Sequence, residues 1–129
     1  MSSKMPSARS QARPIGGTDS LTSRFVEAAM NHGEATEAGD RRTTNKAYKR
    51  YDRARRQLLL RGHEGREVIR KLMMHENGWV RLAAASTSLG FDTKMAEEVL
   101  TMLEKEPGFL GHDAKWVLKE WKAGHRKAL

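Results

Sequence analysis

The sequence predicts an all-α protein: a short α-solenoid of about six helices, stacked as antiparallel pairs, behind a disordered N-terminal tail. Three observations lead there. Apolar residues recur at steps of three and four in one segment after another, with no alternating β-branched run between them. Gly33, Gly62, Asn77-Gly78, Pro107-Gly108 and Gly124 punctuate the segments as breakers or caps. The second half of the chain also echoes itself. "ENGW" at 76–79 recurs as "EPGF" at 106–109, and Leu72-Met73 maps onto Met102-Leu103 at the same offset. Leu89 then falls on Trp121 if about two residues are inserted at the second joint, the period of a helix-pair repeat.

Residues 1–17, "MSSKMPSARSQARPIGG", hold two prolines, two glycines and four serines and almost nothing to bury, so they are expected to form the disordered tail. The folded domain is expected over 18–129. Its first helix begins near Thr18 or Asp19, either of which can cap it. Leu21, Phe25, Ala28 and Ala29 line its inner face, and Gly33 is expected to stop it. The second, about Asp40 to Arg61, has a seam at Ala47, Tyr51, Ala54 and Leu58 and ends at Gly62. The third, about Glu64 to His75, buries Val68, Ile69, Leu72 and Met73.

The fourth follows Asn77-Gly78 and is rich in small side chains: Ala83, Ala84, Ala85, Ser86 and Ser88, framed by Trp79, Val80, Leu82 and Leu89. Small residues let backbones approach from several sides, so this helix is expected to be the hub, with Arg81 pairing to a neighbour's carboxylate. The fifth, about Asp92 to Glu106, presents Met95, Ala96, Val99, Leu100 and Leu103. The sixth, about His112 to Ala123, presents Ala114, Val117, Leu118 and Trp121, with Gly124 as C-cap.

The string "WVRLAAASTSLG" resembles the second helix of a HEAT-type unit. The wider layout, "YDRARRQLLLRG", then "GREVIRKLMMHENGWVRLAAASTSL" and a closing "AKWVLKEWKAG", resembles a small bacterial helical family known as domain of unknown function 2019, over about residues 20 to 125. That resemblance implies a HEAT-like fold and no known activity. HEAT-like folds mostly bind proteins, and a few bind or modify DNA.

Composition narrows the function classes. The chain of 129 residues has no cysteine, which excludes disulfide and thiolate chemistry and suits a reducing cytoplasm, the expected location. No run of about 18 apolar residues is present, so no membrane role is expected. The net charge of +8 is concentrated: residues 41–61 carry nine Lys and Arg against the single acid Asp52, and the rest of the chain balances at 15 and 15.

At 100° per residue, Arg42, Lys46, Lys49, Arg50, Arg53 and Arg56 fall within an arc of about 120°, centred roughly 130° from the packing seam. Pairs such as Lys46–Arg50 and Lys49–Arg53 each cost about a few tenths of a kcal/mol by repulsion, and glutamates would normally relieve that on a merely solvated face. The stripe is the footprint of a binder of acidic protein or phosphate backbone. No base-reading or stacking residue lies nearby in the sequence, so nucleic-acid binding is expected to be non-specific.

Trp116 falls on the far side of the sixth helix with His112 and Lys119. It is a candidate partner or self-association surface at the end of the stack, against the alternative of packing on the fifth helix or the C-terminal "HRKAL". His32, His63, His75, His112 and His125 show no metal-ligand spacing, the serines lack a nucleophile elbow, and "GHEG" is not a phosphate loop. No metal or cofactor is expected. The favoured reading is a non-enzymatic adaptor that binds an acidic protein through the second helix and Trp116, with Lys119 beside it. The alternative is a sequence-tolerant nucleic-acid binder using the same cations. A base-processing enzyme would need an acid beside clustered aromatics, and Asp113 near Trp116 is the one pair that suggests it.

Overall fold

The computed structural model describes residues 17–126. Among them are six α-helices and no strand: α1 (Thr18–Ala38), α2 (Arg41–Leu60), α3 (His63–Leu72), α4 (Gly78–Ser88), α5 (Thr93–Leu103) and α6 (Gly108–Lys122). The tail expected over residues 1–17 lies outside the described residues apart from Gly17, whose carbonyl accepts from the Leu21 N–H at 2.9 Å. Residues 127–129 of the "HRKAL" segment lie outside them as well.

The two long helices form an antiparallel hairpin. Phe25 meets Tyr51 edge-on at 5.3 Å between ring centroids, and His32 lies 6.1 Å from Tyr48, so the partners run in opposite directions along the two chains. The turn uses Gly39 at φ +72°, a left-handed conformation that favours glycine, and then Asp40 as N-cap. The Asp40 carboxylate accepts from the Thr43 hydroxyl at 2.6 Å and the Thr43 N–H at 3.1 Å, and these bonds hold its pKa below the usual carboxylate range. The seam of α2 is buried at Ala47, Tyr51, Ala54 and Leu58. Arg55 is buried with it, ion-paired to Asp52 and 5.3 Å from the centroid of the Tyr51 ring.

Gly33 does not stop α1, which runs five residues further, to Ala38. A glycine inside a helix costs about 1 kcal/mol relative to alanine. Here the missing side chain makes room for an indole: a Cβ on Gly33 would lie 2.2 Å from Trp79 Cγ. Trp79 is buried against this notch, and its Nε1–H donates to Glu37 Oε2 at 2.8 Å, tying α4 to α1. The start of α1 also differs from expectation. Gly17 holds the N-cap position with no side chain capping it, while Thr18 and Asp19 lie inside the first turn. Asp19 still contributes there, by placing negative charge at the positive end of the helix dipole.

The four shorter helices build on this hairpin. Helix α4 packs against α1, α3, α5 and α6 and buries Trp79, Val80, Leu82, Ala84, Ala85, Thr87 and Ser88. Its small side chains face several neighbours at once, which is why so little bulk is needed. The Asn77 side chain caps it, accepting from the N–H groups of Trp79 at 2.9 Å and Val80 at 3.2 Å. Among the described residues, Arg81 meets no carboxylate. Its guanidinium instead donates to the carbonyls of His75 at 2.8 Å and Glu76 at 3.0 Å, satisfying groups left over at the α3–α4 joint. Asn77→Ala is expected to lower stability by about 1–2 kcal/mol in a urea melt, because two N–H groups lose their acceptor. An unchanged midpoint would show that water replaces the cap without cost.

Helices α3 and α5 start at residues 63 and 93, and α4 and α6 at 78 and 108, the same step in both cases. No insertion separates the second joint from the first, so the counterpart of Leu89 is Lys119 rather than Trp121. Met73 and Leu103, Ala84 and Ala114, Thr87 and Val117, and Ser88 and Leu118 are buried pairs in this register. Across the α4–α5 joint, Arg70 donates to Asp92 at 2.9 Å and lies 5.6 Å from the Phe91 centroid, tying α3 to the start of α5.

Candidate functional site

Two surfaces stand out, and α2 contributes to both. On its outer side, Arg42, Lys46, Lys49, Arg50, Arg53 and Arg56 are all exposed. Among the described residues, Arg56 alone of the six has an ion-pair partner, Asp52 at 3.0 Å. The Asp52 carboxyl is held below the usual range: partial burial opposes this, but the Arg56 hydrogen bond and the Arg55 charge outweigh it. The fold adds a cation that the sequence did not single out. Arg24 on α1 joins Arg50 and Arg53 around a groove of about 230 Å³, with Glu27 the one acid in its lining.

The second surface is a cleft of about 390 Å³ between α1, α2, α4 and α6. Its lining includes His32 from α1, Tyr48 and Tyr51 from α2, Trp79 from α4, and Asp113 and Trp116 from α6. The rings form a chain, with Tyr48 5.6 Å from Tyr51, and His32 6.1 Å from Tyr48 and 6.2 Å from Trp79. Trp116 remains 53% exposed, and Lys119 Nζ lies 5.9 Å from its ring centroid. Trp116 therefore forms one wall of a concave site that faces the α1–α2 hairpin, rather than an isolated end surface. Tyr48 borders both the cleft and the surface formed by Lys49, Arg53 and Arg56. One ring able to stack, Tyr48, thus lies beside the cations.

Sequence reasoning missed this convergence because the contributing residues come from four helices. Tyr48 lies one position off the α2 seam, and Trp79 read only as a frame for the small residues of α4. No local spacing signals that they meet. Among the described residues, no group of three or more His, Asp or Glu is placed to hold a metal ion, and no helix is long and apolar enough to cross a membrane. No known protein family, curated protein or solved structure matches the chain.

Two titratable groups of the cleft are shifted: burial raises the pKa of Tyr51, and His32 is shifted within reach of neutral pH. Burial lowers its pKa from the ordinary 6.5, and the Asp113 charge, acting the other way, offsets only part of this. The unfolded chain therefore holds that proton more tightly than the folded one. The His32 contribution to stability is complete above 6.5 and is lost as pH falls below it towards the folded value. The melting temperature is expected to fall between about pH 7.5 and pH 5.5, and to fall less in His32→Gln. The same drop in that variant would show that another group carries it.

Proposed function

We propose that this protein is a non-enzymatic HEAT-like module that holds a polyanionic macromolecule against the outer face of α2. The observation that carries this reading is the row of exposed cations at Arg42, Lys46, Lys49, Arg50 and Arg53, with no ion-pair partner among the described residues and with Arg24 added from α1. From Arg42 to Arg56 the row runs for about 21 Å at 1.5 Å per residue. That length matches several phosphates of one strand. Cations outnumber apolar side chains on this face, with Tyr48 at its border, which favours a nucleic-acid backbone as the occupant. Tyr48 and Trp116 supply rings for stacking an unpaired base beside it. The equal spacing of the two helix pairs and the central place of α4 support the HEAT-like, solenoid character. The absence of cysteine suits action in the cytoplasm.

A second reading, docking of an acidic protein, is favoured by the exposed aromatics Phe109 and Trp116 on α6, which are typical of protein contacts and of self-association. Fluorescence anisotropy against labelled single- and double-stranded DNA and RNA, repeated over a salt series, separates the two. Backbone binding predicts that log K falls with log salt with a slope of magnitude up to about 5. No binding at low salt would remove nucleic acid and leave an acidic protein to be sought on the same face.

A further inference from the structure

We propose that the cleft between α1, α2, α4 and α6 binds an organic cation whose nitrogen is methylated. It does not depend on the cationic face of α2: its ligand has the opposite charge, and the rings it shares with the polyanion reading, Tyr48 and Trp116, are walls of the cleft.

Three features of the cleft argue for this ligand. The first is its walls. Tyr48, Tyr51, Trp79 and Trp116 present aromatic rings, and the faces of such rings attract cations through their quadrupoles. Rings of this chain already hold cations in that way, with Arg55 5.3 Å from the Tyr51 centroid and Lys119 5.9 Å from that of Trp116.

The second is charge. On a protein of net charge +8, the lining of this concave site sets Asp113 and Glu120 against one cation, Arg126, with Lys119 and Arg55 reaching the Trp116 and Tyr51 rings from beside it. Glu120 in its lining is paired with Arg126 at 3.2 Å. Among the described residues, the ion-pair partner of Asp113 is the His112 ring alone, 3.6 Å away with a side chain 75% exposed. His32, whose burial favours its neutral form, adds no compensating charge near neutral pH. One carboxylate therefore faces an aromatic site with no Lys or Arg paired to it among the described residues.

The third is the shortage of charged acceptors, which selects among cations: apart from Asp113 and the paired Glu120, the acceptor side chains of the lining are the neutral His32, Ser86 and tyrosine groups. A guanidinium or a primary ammonium entering the cleft would bring several N–H donors, and each one buried without a partner is costly. Asp113 is the one charged acceptor not already engaged by Arg126. A fully methylated nitrogen spreads its charge over methyl groups and has no N–H donor to leave unpaired, so it loses less than those cations on leaving water for aromatic walls. The cleft volume of about 390 Å³ lies within the usual range for small-ligand sites, about 300–1,000 Å³.

The chemistry fits a free quaternary amine and a trimethylated lysine side chain equally, so the test includes both. The full chain is titrated with choline and with a trimethyl-lysine peptide, and binding is followed by NMR shifts of the tryptophan indole N–H groups. The neutral isostere 3,3-dimethylbutan-1-ol and the unmethylated peptide run in parallel. At least one methylated cation is expected to saturate the site, with the neutral or unmethylated counterpart about tenfold weaker. Trp116→Ala and Asp113→Asn should each weaken binding by about tenfold, and Arg50→Glu with Arg53→Glu should leave it unchanged. Trp116 is half exposed and Asp113→Asn keeps the side-chain shape, so both variants should fold, as circular dichroism would verify. Tighter binding of choline identifies a free small molecule as the source, and tighter binding of the peptide identifies a modified protein segment. Failure of both to saturate, equal binding of the neutral isostere, or wild-type affinity in both cleft variants would overturn the proposal.

Discussion

Replacing Arg50 and Arg53 together by glutamate is expected to weaken binding to a nucleic-acid duplex at low salt by at least about 100-fold. The magnitude follows from two charge-assisted contacts to phosphate, each contributing about 1.5–3 kcal/mol when it can form. The salt slope should flatten at the same time by about 2, close to 0.9 for each phosphate no longer neutralised. Both residues line the groove shared with Arg24, so the change strikes the densest part of the cationic face. Folding should not suffer. Both side chains are exposed, and the new carboxylates would lie one turn after Lys46 and Lys49, turning two repulsive pairs into attractive ones. Stability is therefore expected to hold or rise by about a few tenths of a kcal/mol. Unchanged affinity with an unchanged salt slope would show that the face of α2 is not where the polyanion sits.

The second large effect concerns the frame rather than the site. Gly65→Ala is expected to lower stability by about 3 kcal/mol or more, lowering the melting temperature by at least about 10 °C. A Cβ at this position would lie 1.6 Å from the Leu58 carbonyl oxygen and 2.5 Å from its carbon. These are backbone atoms of α2, so the two helices would have to separate rather than a side chain rotate aside. Gly124→Ala serves as a control. Its φ of +77° makes alanine unfavourable by about 1–2 kcal/mol, but nothing lies within 4 Å of the added carbon. Equal melting temperatures for the two variants would mean that α2 and α3 tolerate a wider crossing. In the sequence Gly65 belongs to "GHEG", where it has no evident role beyond a helix start.

That contrast marks how far the sequence could be read. The packing seams of α1 and α2 were legible because a helix repeats every 3.6 residues and its apolar stripe is written in a continuous run of letters. The cationic face was legible for the same reason: six residues of one helix share one side whatever the helix packs against. Helix ends were less secure. Gly33 carries the same local signal as a true terminator such as Gly39, and nothing within a few residues of it reveals an indole waiting to fill the space. The identity of Trp79 as that partner lies in another helix.

The candidate site divides along the same line. Six helices, a basic face on the second and a small-residue fourth helix follow from local chemistry, since backbone hydrogen bonds and side-chain spacing act over a few residues. The aromatic cleft depends on how α1, α2, α4 and α6 are brought together. So do the use of Gly33 and Gly65 as contact points, the turn of Arg81 to carbonyls and the addition of Arg24 to the cationic row. The cleft, the Gly33 notch and the Arg24 groove join residues far apart in the chain, and the Gly65 and Arg81 contacts cross from one helix or joint to the next. Such contacts are set by which backbones can approach one another, and no local spacing of residues encodes that.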